Sequence, residues 1–256
     1  MLVERTEARR VETLKGLDRD NQSRLGQFFT PRAAADLIGS MPRLPEEGTM
    51  RVLDPGAGVG SLSASLVARV LTERPGLSVH IVAVEMDEGV IPALRATMAD
   101  MAGPRVTTEV VEGDFLLCAT GALVAAPFDE PFDLVVMNPP YGKLAAGSTY
   151  RRGLKADGVD CPNLYAAFMA VGYRLLKARG QLVAIVPRSF ANGAYFEGFR
   201  VDLLANLALD RLHEFGSRST VFADTGVLQE NVILTGTKSG SRGSVVLSQS
   251  TGTPMP

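Results

Sequence analysis

The chain has 256 residues, 46% of them hydrophobic and 21% charged, with a formal net charge of −2 at pH 7. This length allows one large folded domain, and the composition is typical of a globular protein. The sequence contains no apolar run of the ~20 residues that a membrane-spanning helix needs. The two cysteines predict neither a disulfide framework nor a metal site, which favours a cytoplasmic location. The negative balance argues against tight binding of nucleic acid by the chain alone.

Three segments follow one another along the chain. Residues 1–24 are polar, with sparse apolar positions such as Val11 and Leu14, and predict a surface helical segment. Residues 25–238 are predicted to form one folded domain, whose first helix runs from Pro31 to Met41 with Thr30 as its N-cap. Residues 239–256 are rich in Ser, Gly, Thr and Pro and predict a flexible tail.

Short apolar runs alternate with helical stretches through the folded domain. The predicted strands are 51–53, 79–84, 106–111, 134–137, 182–186, 209–215 and 231–234, and the predicted helices between the first five are 61–73, 88–101 and 163–178. Continuous apolar strands separated by helices indicate a mostly parallel sheet that is covered on both faces. The last two strands are joined by a loop, which predicts an antiparallel hairpin at one edge.

A glycine-rich loop follows the first predicted strand. Residues 54–60 are Asp-Pro-Gly-Ala-Gly-Val-Gly, so that Asp54 is followed by Gly56, Gly58 and Gly60. Glycines at such a turn allow a sharp bend and let a ligand approach the backbone closely. The spacing differs from the G-x-G-x-x-G pattern of dinucleotide enzymes, and a connection without a ligand remains an alternative.

Two acids stand at the ends of the next two strands. Glu85 ends the second strand, where a carboxylate can accept hydrogen bonds from ribose hydroxyls. Asp114 follows the third strand and could accept from an adenine amine while Phe115 packs on the ring. Each acid alone could equally be a loop residue or a helix cap. Together with the glycine loop they favour a nucleoside ligand at the carboxyl edge of the sheet.

The fourth strand runs directly into Asn138-Pro139-Pro140-Tyr141. The two prolines stiffen the turn and remove two backbone donors. The Asn138 amide oxygen and the Pro139 carbonyl are acceptors suited to the two hydrogens of an –NH2 group, and Tyr141 could stack on the ring that bears this amine. The alternative is a rigid turn at the end of a strand, capped by a buried tyrosine.

These motifs occur in an order that resembles a known family. Residues 26–31 (Gly-Gln-Phe-Phe-Thr-Pro), the 54–60 loop, Glu85, the 114–115 pair and the 138–141 turn resemble adenine-specific DNA methyltransferases of restriction–modification systems in the gamma arrangement, where cofactor motifs precede the catalytic motif. Further matches are 163–168, 180–187 and 221–222. The resemblance implies an α/β class I S-adenosylmethionine-dependent methyltransferase (Rossmann-like) with a mostly parallel seven-stranded sheet and an antiparallel edge strand.

The resemblance also implies roles for individual residues. Thr30 and Pro31 would line the methionine end of S-adenosylmethionine, Glu85 would bind its ribose, and Asp114 with Phe115 would bind its adenine.

On the substrate side, the family implies transfer of the methyl group to the N6 amine of an adenine that is flipped out of DNA. Asn138 and Pro139 would hold this amine, and Tyr141 and Phe222 would sandwich the base.

The segment 142–160 follows the catalytic turn and carries Lys143, Arg151 and Arg152 among small residues. It predicts either a solvated mobile loop or a loop that contacts DNA phosphates.

Double-stranded DNA is the expected partner, and no membrane is expected. Sequence choice in this family usually comes from a C-terminal target-recognition domain. The chain ends soon after its last predicted strand, which predicts a fragment, a separate target-recognition or restriction subunit, or low specificity. The alternatives are methylation of a protein glutamine or an RNA adenine, and a non-catalytic subunit that binds the cofactor or DNA.

Overall fold

The computed structural model of the chain describes residues 1–17, 29–119, 127–145, 147–156, 158–215, 230–239 and 243–250. The α-helices are α1 (Leu2–Gly16), α2 (Arg32–Ser40), α3 (Ser61–Glu73), α4 (Ile91–Met101), α5 (Phe115–Cys118), α6 (Thr149–Ala156), α7 (Leu164–Arg174) and α8 (Glu197–Asn206). The strands are β1 (Glu47–Pro55), β2 (Gly76–Glu85), β3 (Val106–Glu112), β4 (Phe132–Met137), β5 (Leu176–Pro187), β6 (Leu207–Phe215), β7 (Asn231–Lys238) and β8 (Val246–Ser250).

The eight strands form one sheet in the order β3-β2-β1-β4-β5-β7-β6-β8. The strands β1 to β5 are parallel. Parallel neighbours need crossover connections, which place helices on the faces of the sheet. The chain first runs outward from β1 to β3 and then returns to place β4 on the other side of β1. This reversal of strand order opens a crevice at the carboxyl ends of β1 and β4, where open α/β sheets bind their ligands.

Both faces of the central strands are covered by apolar side chains. On one face Val135 and Met137 of β4 belong to a buried cluster with α7, which includes Tyr173. On the other face Val136 joins a cluster with α2 and α3, which includes Ile38. Burial on both faces explains why these strands have continuous apolar sequences.

The predicted class of fold is confirmed, while the sheet differs in two details. It has eight strands rather than seven, because β8 pairs in parallel with β6 inside the segment that the sequence predicted to be a flexible tail. The antiparallel strand β7 lies between β5 and β6 rather than at the edge. Residues 231–237 of β7 are buried on both faces, as an interior strand requires. In β8, by contrast, Leu247 is 76% exposed, so this strand lacks the buried apolar pattern by which a strand is recognised in a sequence.

Two helical details also differ from the prediction. The N-cap of α2 is Pro31 rather than Thr30, because the helix begins at Arg32, one residue later than predicted. The Thr30 hydroxyl accepts from Asn138 instead. Helix α8 was not predicted, because only Phe199 and Leu203 of its ten residues are buried. Gly198 in its first turn also has a low helix propensity. None of the described helices is long and apolar enough to cross a membrane.

Candidate active site

A cavity opens at the carboxyl edge of the sheet, in the crevice between β1 and β4. The predicted site residues on its wall are Thr30, Asp54, Gly56, Gly58, Glu85, Phe115, Asn138 and Pro140. The structure therefore brings the glycine loop, Glu85, Phe115 and the 138–141 turn to one space.

The glycine loop after β1 has left-handed backbone conformations at all three predicted glycines. The φ angles of Gly56, Gly58 and Gly60 are 69°, 57° and 85°. At Gly58 a Cβ atom would also stand 3.1 Å from the ring of Phe29. The loop thus needs glycine at position 58 both for its backbone conformation and for the close approach of an aromatic side chain.

We expect Gly58→Ala to lower the free energy of unfolding by about 1–2 kcal/mol, because alanine resists a left-handed backbone. Urea unfolding measures this change. The matched control is Gly198→Ala in α8, where nothing lies within 4 Å of an added Cβ. Helix propensity makes that control neutral or slightly stabilising. If Gly58→Ala is as stable as the parent protein, the loop tolerates a side chain and this account of it is wrong.

Asp54 is a buried carboxylate on the cavity wall, with only 1% of its surface exposed. The Ser63 hydroxyl donates to its Oδ2 at 2.7 Å, while Oδ1 has no hydrogen-bond partner among the described residues. Burial raises the pKa of Asp54 to about 7, and the charge of Glu85 adds to this effect. A buried acceptor without a partner is costly, and a cationic ligand group would satisfy it.

Glu85 ends β2 and ties the surrounding loops together. Its Oε2 accepts from the backbone N–H of Gly58 at 2.9 Å, and its Oε1 accepts from those of Met86 and Asp87 at 2.8 and 2.9 Å. Burial raises the pKa of this carboxyl, which is 5% exposed. Glu85 therefore lies at the cavity as predicted, and it also holds the glycine loop in place.

Asp114 and Phe115 take different positions in the structure. The Asp114 Oδ1 accepts from the backbone N–H of Leu116 at 2.9 Å and so caps the N-terminus of α5. This is the helix-cap alternative that the sequence left open. Phe115 lies on the cavity wall, and its ring centroid is 5.1 Å from that of Phe168 on α7. The two rings form an aromatic wall.

Among the residues that the structure describes, the side chain of Asn138 is hydrogen-bonded to Thr30 and Tyr141, directly after β4. Its Nδ2 donates to the Thr30 Oγ1 at 3.0 Å, and its Oδ1 accepts from the Tyr141 hydroxyl at 3.0 Å. Asn138 and Pro140 lie on the cavity wall, and Pro139 between them is buried. The amide is thus held from both ends.

Tyr141 is half-buried beside this amide. Its hydroxyl also donates to the Ile185 carbonyl at 3.3 Å, and its ring meets Tyr165 edge to face at 6.2 Å between centroids. Burial, with a smaller contribution from Tyr165, holds the pKa of the phenol above its usual range. The hydroxyl therefore stays protonated near neutral pH and can act as a donor to Asn138.

The segment 142–160 is only partly a loop, because it contains α6. Arg151 contacts Asp160 at 3.2 Å, and so does Lys155. These two cations lower the pKa of the Asp160 carboxyl. Lys143 is exposed, and Arg152 donates to the Gly147 carbonyl. The basic residues beside the catalytic turn are thus partly neutralised within the segment.

Other predicted residues lie outside the cavity wall or outside the described structure. Pro31 follows Thr30 and is the N-cap of α2. Gly60 packs against Leu94 and Thr97 on the far side of the glycine loop. Phe222 lies outside the described residues.

Two aromatic residues of the cavity wall received no role from the sequence. Phe29 approaches Gly58 and packs with Val59 and Val90, while Phe168 faces Phe115. Both belong to motifs that the sequence singled out, at 26–31 and 163–168. In the first motif the role went to Thr30, because a polar side chain suggests chemistry more directly than an aromatic one.

Comparison with known proteins places these motifs in a family. The family described as Eco57I restriction-modification methylase matches residues 110–222. Type II methyltransferase M.BsuBI of Bacillus subtilis is 36% identical over 220 residues, which cover 83% of this chain and 44% of that protein. Type II methyltransferase M.PstI of Providencia stuartii is 35% identical over 237 residues, which cover 90% and 46%. The chain spans less than half the length of these two relatives.

The fold has a parallel among solved structures. A crystal structure from Listeria monocytogenes, described as a class I S-adenosylmethionine-dependent methyltransferase, superposes with a TM-score of 0.72. It is 18% identical, and the match covers 96% of this chain and 72% of that one. Identity at this level supports the shared fold alone. The family match identifies an Eco57I-type restriction–modification methylase domain over residues 110–222, and the superposition shows that the chain has the class I S-adenosylmethionine-dependent methyltransferase fold.

Proposed function

We propose that this domain transfers a methyl group from S-adenosylmethionine to the N6 amine of an adenine in DNA, as the modification activity of a restriction–modification system. The observation that carries the proposal is that Asn138 lies on the wall of the same cavity as the buried carboxylates of Asp54 and Glu85. A cationic donor and an amine acceptor could therefore meet in one space. The names of the two Type II relatives support the same class of reaction.

The cavity fits the cofactor in its charge and in its shape. The Asp54 Oδ1, unpartnered among the described residues, would accept from the ammonium group of the cofactor. Glu85 would accept from the ribose hydroxyls in addition to the backbone groups that it already binds. The flat adenine would pack on Phe115, with the Asp114 carboxylate as the acceptor proposed for its amine.

The cofactor, when bound, supplies an electrophilic methyl group on a sulfonium. Asn138 and Pro139 would act on the substrate amine. The Asn138 Oδ1 and the Pro139 carbonyl would each accept one hydrogen of the –NH2 group. As the amine nitrogen bonds to the methyl carbon, the bond from this carbon to the sulfonium sulfur would break, and the bonding electrons would stay on the sulfur of a neutral thioether. Positive charge would develop on the nitrogen, and two acceptors at this group would stabilise it. The amine would then lose one proton to solvent water and become a neutral secondary amine.

A duplex buries this amine in its base stack, so the nucleotide must rotate out before transfer. Aromatic stacking in the pocket offsets part of the unstacking free energy, and we propose Tyr141 and Phe222 as the aromatic partners.

Double-stranded DNA is the proposed partner, and a target-recognition segment or subunit would supply the choice of sequence. The ion pairs of the basic residues near Asn138 support the assignment of sequence choice to another segment or subunit. Arg151 and Lys155 are paired with Asp160, so the surface around α6 offers less free positive charge to phosphates than its sequence suggests.

The test is to incubate the full chain and S-adenosylmethionine carrying a labelled methyl group with duplex DNA, structured RNA or bacterial protein extract. Nucleoside and peptide mass spectrometry then identify the labelled product. We expect N6-methyladenine from DNA and a signal at the background of the Asn138→Ala protein from RNA and protein. Methylglutamine or RNA N6-methyladenine above the DNA signal would replace the proposed substrate. Cofactor binding without transfer to any of the three would indicate a binding subunit.

A further inference from the structure

The amide of Asn138 is oriented by a residue far away in the sequence. Thr30 lies before α2, and its Oγ1 accepts from the Asn138 Nδ2 at 3.0 Å. Thr30 is 6% exposed and lies on the wall of the same cavity. This contact makes Thr30 a candidate for a role in the chemistry of the amine.

The orientation of an asparagine amide matters because its two ends are chemically opposite. The Oδ1 atom accepts hydrogen bonds, whereas the Nδ2 group only donates. An amine that is to be methylated offers two donors, so an amide rotated by 180° would bring donor against donor. A hydrogen-bond acceptor at the position of the Thr30 hydroxyl stabilises the observed orientation, in which Nδ2 donates to Thr30 and Oδ1 accepts from the Tyr141 hydroxyl at 3.0 Å. The amide oxygen has a second lone pair, which would accept from the substrate amine.

The segment that carries Thr30 is itself held against the cofactor loop. Phe29 packs with Val59 and Val90, and its ring lies 3.1 Å from the position of a Cβ on Gly58. Leu14 and Leu17, at the end of α1, pack against the same cluster. This packing holds the backbone at Thr30 in place, so the Thr30 hydroxyl can orient the amide of Asn138.

We propose that Thr30 is a positioning residue that fixes the amide of Asn138 with Oδ1 turned toward the substrate amine. This inference rests on the proposed methyl transfer and differs from the role that the family resemblance implies for Thr30, which is contact with the methionine end of the cofactor. A positioning role affects the rate of transfer at saturating cofactor, whereas a cofactor contact affects the dissociation constant of the cofactor.

The test compares Thr30→Val, which keeps the shape and removes the acceptor, with Thr30→Ser, which restores the acceptor. Single-turnover transfer to DNA is measured at saturating cofactor, and cofactor affinity is measured by calorimetry. We expect Thr30→Val to lower the rate constant about 10-fold, in line with the loss of one hydrogen bond in the site. The cofactor dissociation constant should change less than 3-fold, and Thr30→Ser should recover most of the rate. Thr72→Val in α3, which removes a hydroxyl bonded to the Ala68 carbonyl, controls for the substitution itself.

A second measurement does not depend on activity. In ¹⁵N NMR spectra the Nδ2 signals of Asn138, identified by their loss in Asn138→Ala, should shift in Thr30→Val and return in Thr30→Ser. A 10-fold weaker cofactor affinity with an unchanged rate would overturn the proposal, and so would unchanged Nδ2 signals in Thr30→Val. If the parent protein methylates none of the substrates, the proposed function fails, whereas the NMR result still tests the orientation of the amide.

Discussion

Asn138→Ala is expected to lower the rate of methyl transfer by about 10²–10³-fold or more, the range found when one preorganised group that stabilises developing charge is removed. The variant loses the Oδ1 acceptor on the cavity wall and leaves Asp54, Glu85 and the glycine loop in place. Cofactor affinity should therefore stay within about 3-fold of the parent value, because the cofactor is not expected to form a hydrogen bond with the Asn138 amide. Transfer assays and calorimetry on the same preparation measure both quantities.

The matched control for this variant is Asn206→Ala. The Asn206 Nδ2 donates to the Asp202 carbonyl at 2.8 Å, at the end of α8 and outside the residues of the cavity wall. The control loses an asparagine amide of the same kind and should keep both rate and affinity. An equal loss of cofactor affinity and rate in Asn138→Ala would contradict the division between a catalytic turn and a cofactor loop.

Asp54→Asn is expected to raise the cofactor dissociation constant by about 100-fold, because a buried charge-assisted hydrogen bond to the ammonium group is lost. The pKa of Asp54 in the ligand-free protein is about 7, and its charged form is the one that binds a cation. The dissociation constant of the parent protein should accordingly rise about 10-fold as the pH falls from 7.5 to 6. Asp54→Asn should show no such rise, which calorimetry at both pH values can test.

The ionised form of Asp54 favours cofactor binding but lowers the stability of the ligand-free protein. Burial raises the pKa of Asp54 in the folded protein above its usual value of 3.8, so the folded state binds the proton more tightly than the unfolded state. The free energy of unfolding of the ligand-free protein should therefore fall as pH rises from about 4 to 7 through this group. At pH 8 the ligand-free Asp54→Asn protein should be more stable than the parent, because asparagine carries no charge that folding must bury.

The control for Asp54→Asn is Asp36→Asn. Asp36 also accepts from a serine hydroxyl, that of Ser65 at 2.6 Å, but it is half-exposed on α2 and lies outside the cavity wall. This variant should change neither the affinity for the cofactor nor its dependence on pH. If Asp54→Asn binds the cofactor as tightly as the parent protein does, the Asp54 Oδ1 does not bind the ammonium group of the cofactor.

Much of the fold could be predicted from local patterns. The carboxyl-terminal halves of β1, β2, β4 and β5 are buried on both faces, so their apolar runs are continuous and easy to recognise. Strand β8 could not be found in this way, because it is outermost in the sheet and its pairing with β6 depends on a partner distant in sequence. Helix α8 has too few buried positions to give a helical period.

The location of the candidate site could be predicted from the sequence, whereas only some of its contacts could. The carboxyl ends of β1, β2 and β4 meet in one crevice, so Asp54, Glu85 and Asn138 had to come close together. Their hydrogen bonds could not be predicted. The three backbone bonds of Glu85 depend on the left-handed glycine loop, and the contact of Thr30 with Asn138 spans 108 positions in the sequence.

The measurement that tests the central claim most directly is the identity of the methylated base in DNA from cells that make this chain. The host is a bacterial strain that lacks its own DNA methyltransferases, and its DNA is digested to nucleosides for mass spectrometry. The account predicts N6-methyladenine in cells with the parent chain and none above background in cells with Asn138→Ala. A methyl group on cytosine, or N6-methyladenine that persists with Asn138→Ala, would contradict it.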